Sequence, residues 1–224
     1  MKKTNLLGID LTDYSLKESM KNVEKFLHNG PLDTISYVST RILIEAAENE
    51  EQKEWISSMD MTICGEADIL RAANLASRYR IKEVENDEFL KEFVSKMARG
   101  GHKVFLIAES AAKLTNLEAY LKDYHSELLV AGTYVLNEGI ASEDVMVNEI
   151  NDVAPDVIIS RLAYPKQEKL IFDNKKRING EIWLALLEQM DKPSHRSEKL
   201  HKVKLYLYKK VFRRRVNKYQ KTKD

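Results

Sequence analysis

The chain has 224 residues, 43% hydrophobic and 32% charged, with 8 glycines, 4 prolines and one cysteine. This composition excludes a disordered or collagen-like chain, a disulfide framework and a cysteine-rich zinc site. The net charge of +1 conceals a split: from Arg196 onward there are 12 Lys/Arg against 2 Asp/Glu, whereas the first 195 residues hold 24 against 33.

The longest purely apolar run, Ile182 to Leu187, is six residues, too short to span a bilayer as a helix. The Leu6-Leu7-Gly8-Ile9 stretch ends at Asp10 and is too short for a signal peptide, so the expected location is the cytoplasm. The five histidines are scattered and give no metal-ligand spacing, so no metal is expected.

In chain order, Ser15-Leu16-Lys17-Glu18 reads as a capping box. Leu16, Met20, Val23 and Leu27 then follow at helical spacing until Asn29-Gly30-Pro31 stops the helix. A β-rich run at 34–38 precedes a helix over about 41–57. A short strand at 61–64 is broken by Gly65, and helices are predicted over about 66–77 and 88–97.

Lys103 to Ala108 is an apolar run of buried-strand type, and Ser110 can cap a helix reaching about Tyr124. Strands at 128–131 and 156–159 flank a helix over 143–151, and Pro165 is placed to open another at its first position. Strands alternating with helices predict an α/β Rossmann-like fold, a mainly parallel sheet with helices on both faces. Ligands in such sheets sit beyond the carboxyl ends of the strands, so the turns after Val38, Cys64, Ala108 and Leu162 are the candidate site. The one shift in composition falls near Pro193, dividing the chain into a domain of residues 1–193 and a basic appendage of residues 194–224.

The opening Leu7-Gly8-Ile9, the element order, and above all Pro155-Asp156-Val157-Ile158-Ile159 followed by Pro165-Lys166-Gln167-Glu168 resemble the WecG/TagA/CpsF glycosyltransferases, family 26. The resemblance covers nearly the whole chain, and the Pro-Lys-Gln-Glu block is its most specific element. It implies transfer of an N-acetylhexosamine-type sugar from a UDP-sugar substrate, with no further cofactor. The implied acceptor is an undecaprenyl-diphosphate-linked glycan at the inner face of a bacterial membrane, in polysaccharide or teichoic acid synthesis. It also implies an aspartate base and a basic C-terminal appendage that touches membrane and nucleotide.

The residues depart from that pattern at several points. The Asp-Gly pair that carries the family's base falls on Gly65-Glu66. The family's Asn after the first strand is Ser39, and its arginine is Glu83. Its glycine pairs at two strand ends are Ala108-Glu109 and Leu187-Glu188, while Asp191 fits a family Asp. Glu83 and Glu109 put negative charge where a diphosphate is expected; like charges at 4 Å repel by about 4 kcal/mol at an intermediate dielectric.

The candidate site residues follow. Glu66 is the candidate substitute base, weighed against an acid that only complements a helix dipole; Asp68 is a weaker version of the same idea. Ser39, Pro165, Lys166, Gln167, Glu168 and Asp191 are the candidate nucleotide contacts, weighed against a solvated first helical turn. Cys64 reads as a small buried hydrophobe rather than a nucleophile.

The segment 200–219 forms an amphipathic basic helix. On it Lys209, Lys210, Arg213, Arg214 and Arg215 are the candidate contacts to membrane or diphosphate. An anionic bilayer and the acidic body are equally matched partners for it, and no nucleic-acid module accompanies it. Two functional classes remain: an active transferase with a changed site, and an inactive homologue acting as a membrane-associated partner or regulatory subunit. A homo-oligomer and a paired transferase are both open.

Overall fold

The computed structural model describes residues 2–136, 143–190 and 198–223. Its centre is a six-stranded sheet, all parallel: β3 (Asp33–Val38), β4 (Met61–Cys64), β5 (Val104–Ala108), β6 (Val130–Val135), β7 (Val157–Arg161) and β8 (Ile182–Ala185), in the order β4-β3-β8-β7-β5-β6. The Rossmann-like prediction is met, with helices on both faces.

Side chains alternate across the central strands as a pleat requires. Val104, Leu106, Val157, Ile159, Ile182 and Leu184 join one apolar cluster, and Phe105, Ile107, Ile158 and Trp183 join the other. Both faces are covered, which is why these strands read as unbroken apolar runs. The first cluster packs against α1 (Leu16–Phe26), α6 (Glu88–Gly100) and α7 (Ala111–Tyr124); the second packs against α8 (Glu143–Val153) and α9 (Lys166–Asn174).

The capping box forms as predicted: Ser15 accepts from the Glu18 amide, and the Glu18 carboxylate accepts from the Ser15 amide at 2.9 Å. The helix expected over 41–57 is two helices, α2 (Thr40–Ala46) and α3 (Glu50–Ser57), because the Asn49 side chain takes the free amides of Glu51 and Gln52 and starts a new helix. The helix expected over 66–77 ends early as α4 (Ala67–Ala72), and α5 (Arg78–Glu85) follows, capped by Ser77. Pro165 is the residue before α9 rather than its first, and its peptide bond to Tyr164 is cis.

The chain-order reading gave no range for two further parts of the fold, although the resemblance implied a strand ending at Leu187. One is an antiparallel hairpin of β1 (Lys2–Leu6) and β2 (Ile9–Asp13), whose turn residues Leu7 and Gly8 both have positive φ, 56° and 84°. That geometry suits the right-handed strand twist. The other is β8, which fills the sheet between β3 and β7.

The basic segment is a single helix, α10 (Glu198–Lys223). Phe212 and Val216 are 0% and 2% exposed and belong to the main core cluster. Lys209 and Arg213 pair with the Asp68 carboxylate of α4, and Arg215 pairs with Glu48 at 2.5 Å. The Tyr219 hydroxyl donates to Asn5 in the hairpin. One face of α10 is therefore docked on the acidic body. Tyr206, Leu207 and Val211 stay exposed on the helix, along with Lys210 and Arg214.

Candidate functional site

The crevice beyond the carboxyl ends of the strands divides in two. Beside β4 lies a cavity of about 180 Å³ bordered by Asp13, Tyr37, Gly65, Arg80, Glu83 and Asp87. Beyond β7 and β8, among the described residues, lies a gap of about 20 Å³ between Ser39, Arg41, Gln167, Glu168 and Leu187. Small-molecule sites are typically about 300–1,000 Å³, whereas a gap of that second size holds about one water.

Gly65 ends β4 under tight packing. A β-carbon placed on it would sit 2.5 Å from Leu187 Cδ1 and 3.1 Å from the Val38 carbonyl oxygen. The volume that the first side-chain atoms of an aspartate would need is held by Leu187, itself 5% exposed.

Glu66 does not face the cavity. Its carboxylate accepts from the Thr40 hydroxyl at 2.8 Å and from the Thr40 amide at 3.4 Å, at the first turn of α2. Ser39 caps the same helix, accepting from the Ile42 amide at 3.2 Å. Asp68, the weaker candidate, is 3% exposed and holds Lys209 and Arg213 of α10.

Gln167 corrects the picture of a solvated first helical turn. It is 3% exposed. Its Oε1 accepts from the Ser160 hydroxyl at 2.9 Å and from the Leu162 amide at 3.0 Å, and its Nε2 donates to the Leu186 carbonyl at 2.9 Å. The indole of Trp183 donates to the same Ser160 oxygen. The side chain fastens the ends of β7 and β8 together.

Glu168, beside it, is 1% exposed, and its Oε2 has no hydrogen-bond partner. Burial pushes its carboxyl up to about 7, opposed only by its own amide and Gln167. Because the folded value lies above the ordinary 4.5, the folded state binds the extra proton between those two values. Stability is therefore greatest below about pH 4.5 for this group and falls as pH rises through 7, by about 3 kcal/mol. Glu168→Gln should flatten that slope and raise the melting temperature at pH 8. Chemical denaturation at pH 5 and pH 8 checks it, and an unchanged slope would show that the carboxyl titrates normally.

The crevice at the ends of β5 and β7 is filled by the chain's own charges. Glu109, just after β5, accepts from the Ala163 amide at 2.7 Å and from the Lys113 ammonium at 2.5 Å. Burial opposes its ionisation, but Lys113 and the Ala163 amide together hold the carboxyl below the usual range. Lys113 also reaches Glu188 at 3.2 Å. Arg161, 3% exposed at the end of β7, donates to the carbonyls of Met190 and Lys113 and to the Asn116 side chain. An amide, an ammonium and a guanidinium that could meet a diphosphate are all engaged internally. Lys166 lies near enough to help hold Glu109 ionised. Asp191 lies outside the described residues.

Sequence reasoning pointed to the turn after Cys64, which borders the cavity beside β4, but missed Tyr37, Arg80 and Asp87 in its wall. Arg80 sits between Asp13, at 2.6 Å, and Glu83, one turn later on α5. The Tyr37 and Tyr120 hydroxyls donate to Asp87 at 2.8 and 3.2 Å. Burial raises the Asp87 carboxyl above the usual range despite both bonds. Its backbone is left-handed, φ 53°, a conformation with no sequence signature beyond the tolerance of Asp for it. Burial pushes the Cys64 thiol up to about 12, which leaves it un-ionised and unsuited to nucleophilic attack.

A family model described as Glycosyl transferase WecG/TagA/CpsF family matches residues 4–191. A search among curated proteins returned no match.

Proposed function

The chain belongs to the WecG/TagA/CpsF glycosyltransferase family, and on that premise we propose that it is a non-catalytic member, a partner or regulatory subunit. Its partner would be an active transferase that builds lipid-linked cell-surface polysaccharide or teichoic acid at the inner face of a bacterial membrane. The observation that carries this reading is the end of β4, where the position expected to bear the base is Gly65, packed under Leu187 Cδ1 and the Val38 carbonyl. A sugar hydroxyl attacking an anomeric carbon needs a carboxylate to take its proton, and the candidate substitute, Glu66, is turned to Thr40. The departing diphosphate needs cationic or amide partners, and Glu109 already holds the Ala163 amide and Lys113.

Membrane association is supported by the basic helix, whose outward Tyr206, Leu207 and Val211 lie among lysines and arginines. That pattern suits an anionic bilayer surface. No helix among the described residues is long and apolar enough to cross a membrane.

One observation favours the active reading: the cavity beside Gly65 holds Asp87, a buried carboxyl with a raised pKa, which suits a general base. Turnover separates the two. Full-length protein on anionic vesicles bearing a lipid-linked acceptor should release no UDP from UDP-N-acetylhexosamines. Release that is abolished by Asp87→Asn would establish the transferase instead.

A further inference from the structure

We propose that a divalent transition-metal ion of the zinc class binds at the amino-terminal end of the sheet, held by His102, Asp156 and Glu181. This end is opposite the crevice described above. His102 precedes β5, Asp156 directly precedes β7, and Glu181 directly precedes β8. These strands are neighbours in the order β8-β7-β5, so residues far apart in sequence arrive side by side. The scattered histidine spacing gave no hint of this.

One ligand atom from each residue lies within 4.8 Å of the other two, and the closest pair reported, His102 Nδ1 and Asp156 Oδ2, is 3.6 Å apart. Tetrahedral bonds of about 2.0–2.2 Å to nitrogen and oxygen put ligand atoms about 3.3–3.6 Å apart. That pair is already at ligating distance, and the third donor needs about 1 Å of side-chain closure.

Two of the three donors are held in place. The Asp156 carboxylate accepts from the Lys103 amide at 2.7 Å, and the Asp156 amide donates back to the Lys103 carbonyl at 3.0 Å. A hydrogen bond of this kind orients a ligating carboxylate. The His102 ring lies against Gly100, where a β-carbon would come within 2.6 Å of Cδ2 and 2.7 Å of Nε2. Glycine at 100 therefore makes room for the ring, with Nδ1 turned to the carboxylates.

Glu181 supplies the need for a cation. Among the described residues no lysine or arginine pairs with it or with Asp156. Glu181 also borders an open groove that gives an ion access. One imidazole with two carboxylates suits Zn²⁺, whereas Ca²⁺ would demand six or more oxygens. The ion would fasten the starts of three adjacent central strands.

Titration of full-length protein with zinc chloride by calorimetry tests this, with circular dichroism confirming that each variant is folded. We expect one equivalent at about micromolar affinity or tighter. His102→Ala and the near-isosteric Glu181→Gln should each weaken that equivalent at least about tenfold. Absence of zinc binding, or binding of the same stoichiometry and affinity in both folded variants, would overturn the site.

Discussion

Gln167→Ala is expected to cost about 4 kcal/mol of stability, because it leaves the Leu162 amide, the Leu186 carbonyl and the Ser160 hydroxyl buried without their partner. Each such group costs about 1–3 kcal/mol when stranded, and Ser160 also carries the Trp183 indole. In a domain of this size the melting temperature should fall by about 8–16 °C. Calorimetric or circular-dichroism melting of the two proteins measures this directly. A loss below 1 kcal/mol would mean that water replaces the amide and that the residue is as free as a first-turn side chain usually is.

The second large effect concerns the basic helix. Removing residues after Pro193 withdraws Phe212 and Val216 from the core cluster, worth about 1.5–3 kcal/mol each. It also removes Lys209 and Arg213 from Asp68, which then opens to water and keeps Arg71 at 3.7 Å, so this adds little. The expected loss from the two apolar side chains is about 3–6 kcal/mol. Phe212→Ala in the full chain should reproduce most of it. The docked face does not decide membrane binding, since Tyr206, Leu207 and Val211 are still exposed. Sedimentation with anionic vesicles at low and high salt reads that separately. If truncation leaves the melting temperature unchanged, the docked helix contributes nothing to the fold.

The sheet was legible because doubly covered strands leave continuous apolar runs, as at Val104–Ala108 and Val157–Ile159. The hairpin was hidden because its turn places Leu7, not an Asn or Gly, at positive φ. β8 could have been read: Ile182–Leu187 is the longest apolar run in the chain and Gly180 punctuates its start, but a short apolar run by itself does not separate a buried strand from a helix segment. The break between α2 and α3 lies in the competition of the Asn49 side chain for backbone amides, which a periodicity reading does not see.

At the site, the positions of Gly65, Glu109 and Leu187 were readable as departures from a family pattern. Their consequence was not. Only packing reveals that Leu187 takes the space over Gly65 and that the Glu109 carboxylate binds the Ala163 amide. The role of Gln167 was likewise invisible, because an exposed and a buried first-turn glutamine look the same in sequence.

The proposed non-catalytic role predicts a crevice that does not take a donor nucleotide, and UDP binding tests that without assuming which sugar or acceptor is involved. Isothermal titration of full-length protein with UDP should show no binding at millimolar concentration. Among the described residues the gap between Ser39, Gln167 and Leu187 is about 20 Å³, and the Ala163 amide and Lys113 are held by Glu109. Binding at micromolar UDP would contradict the account, for the crevice would then have to open and the chain would regain its claim to be a working transferase.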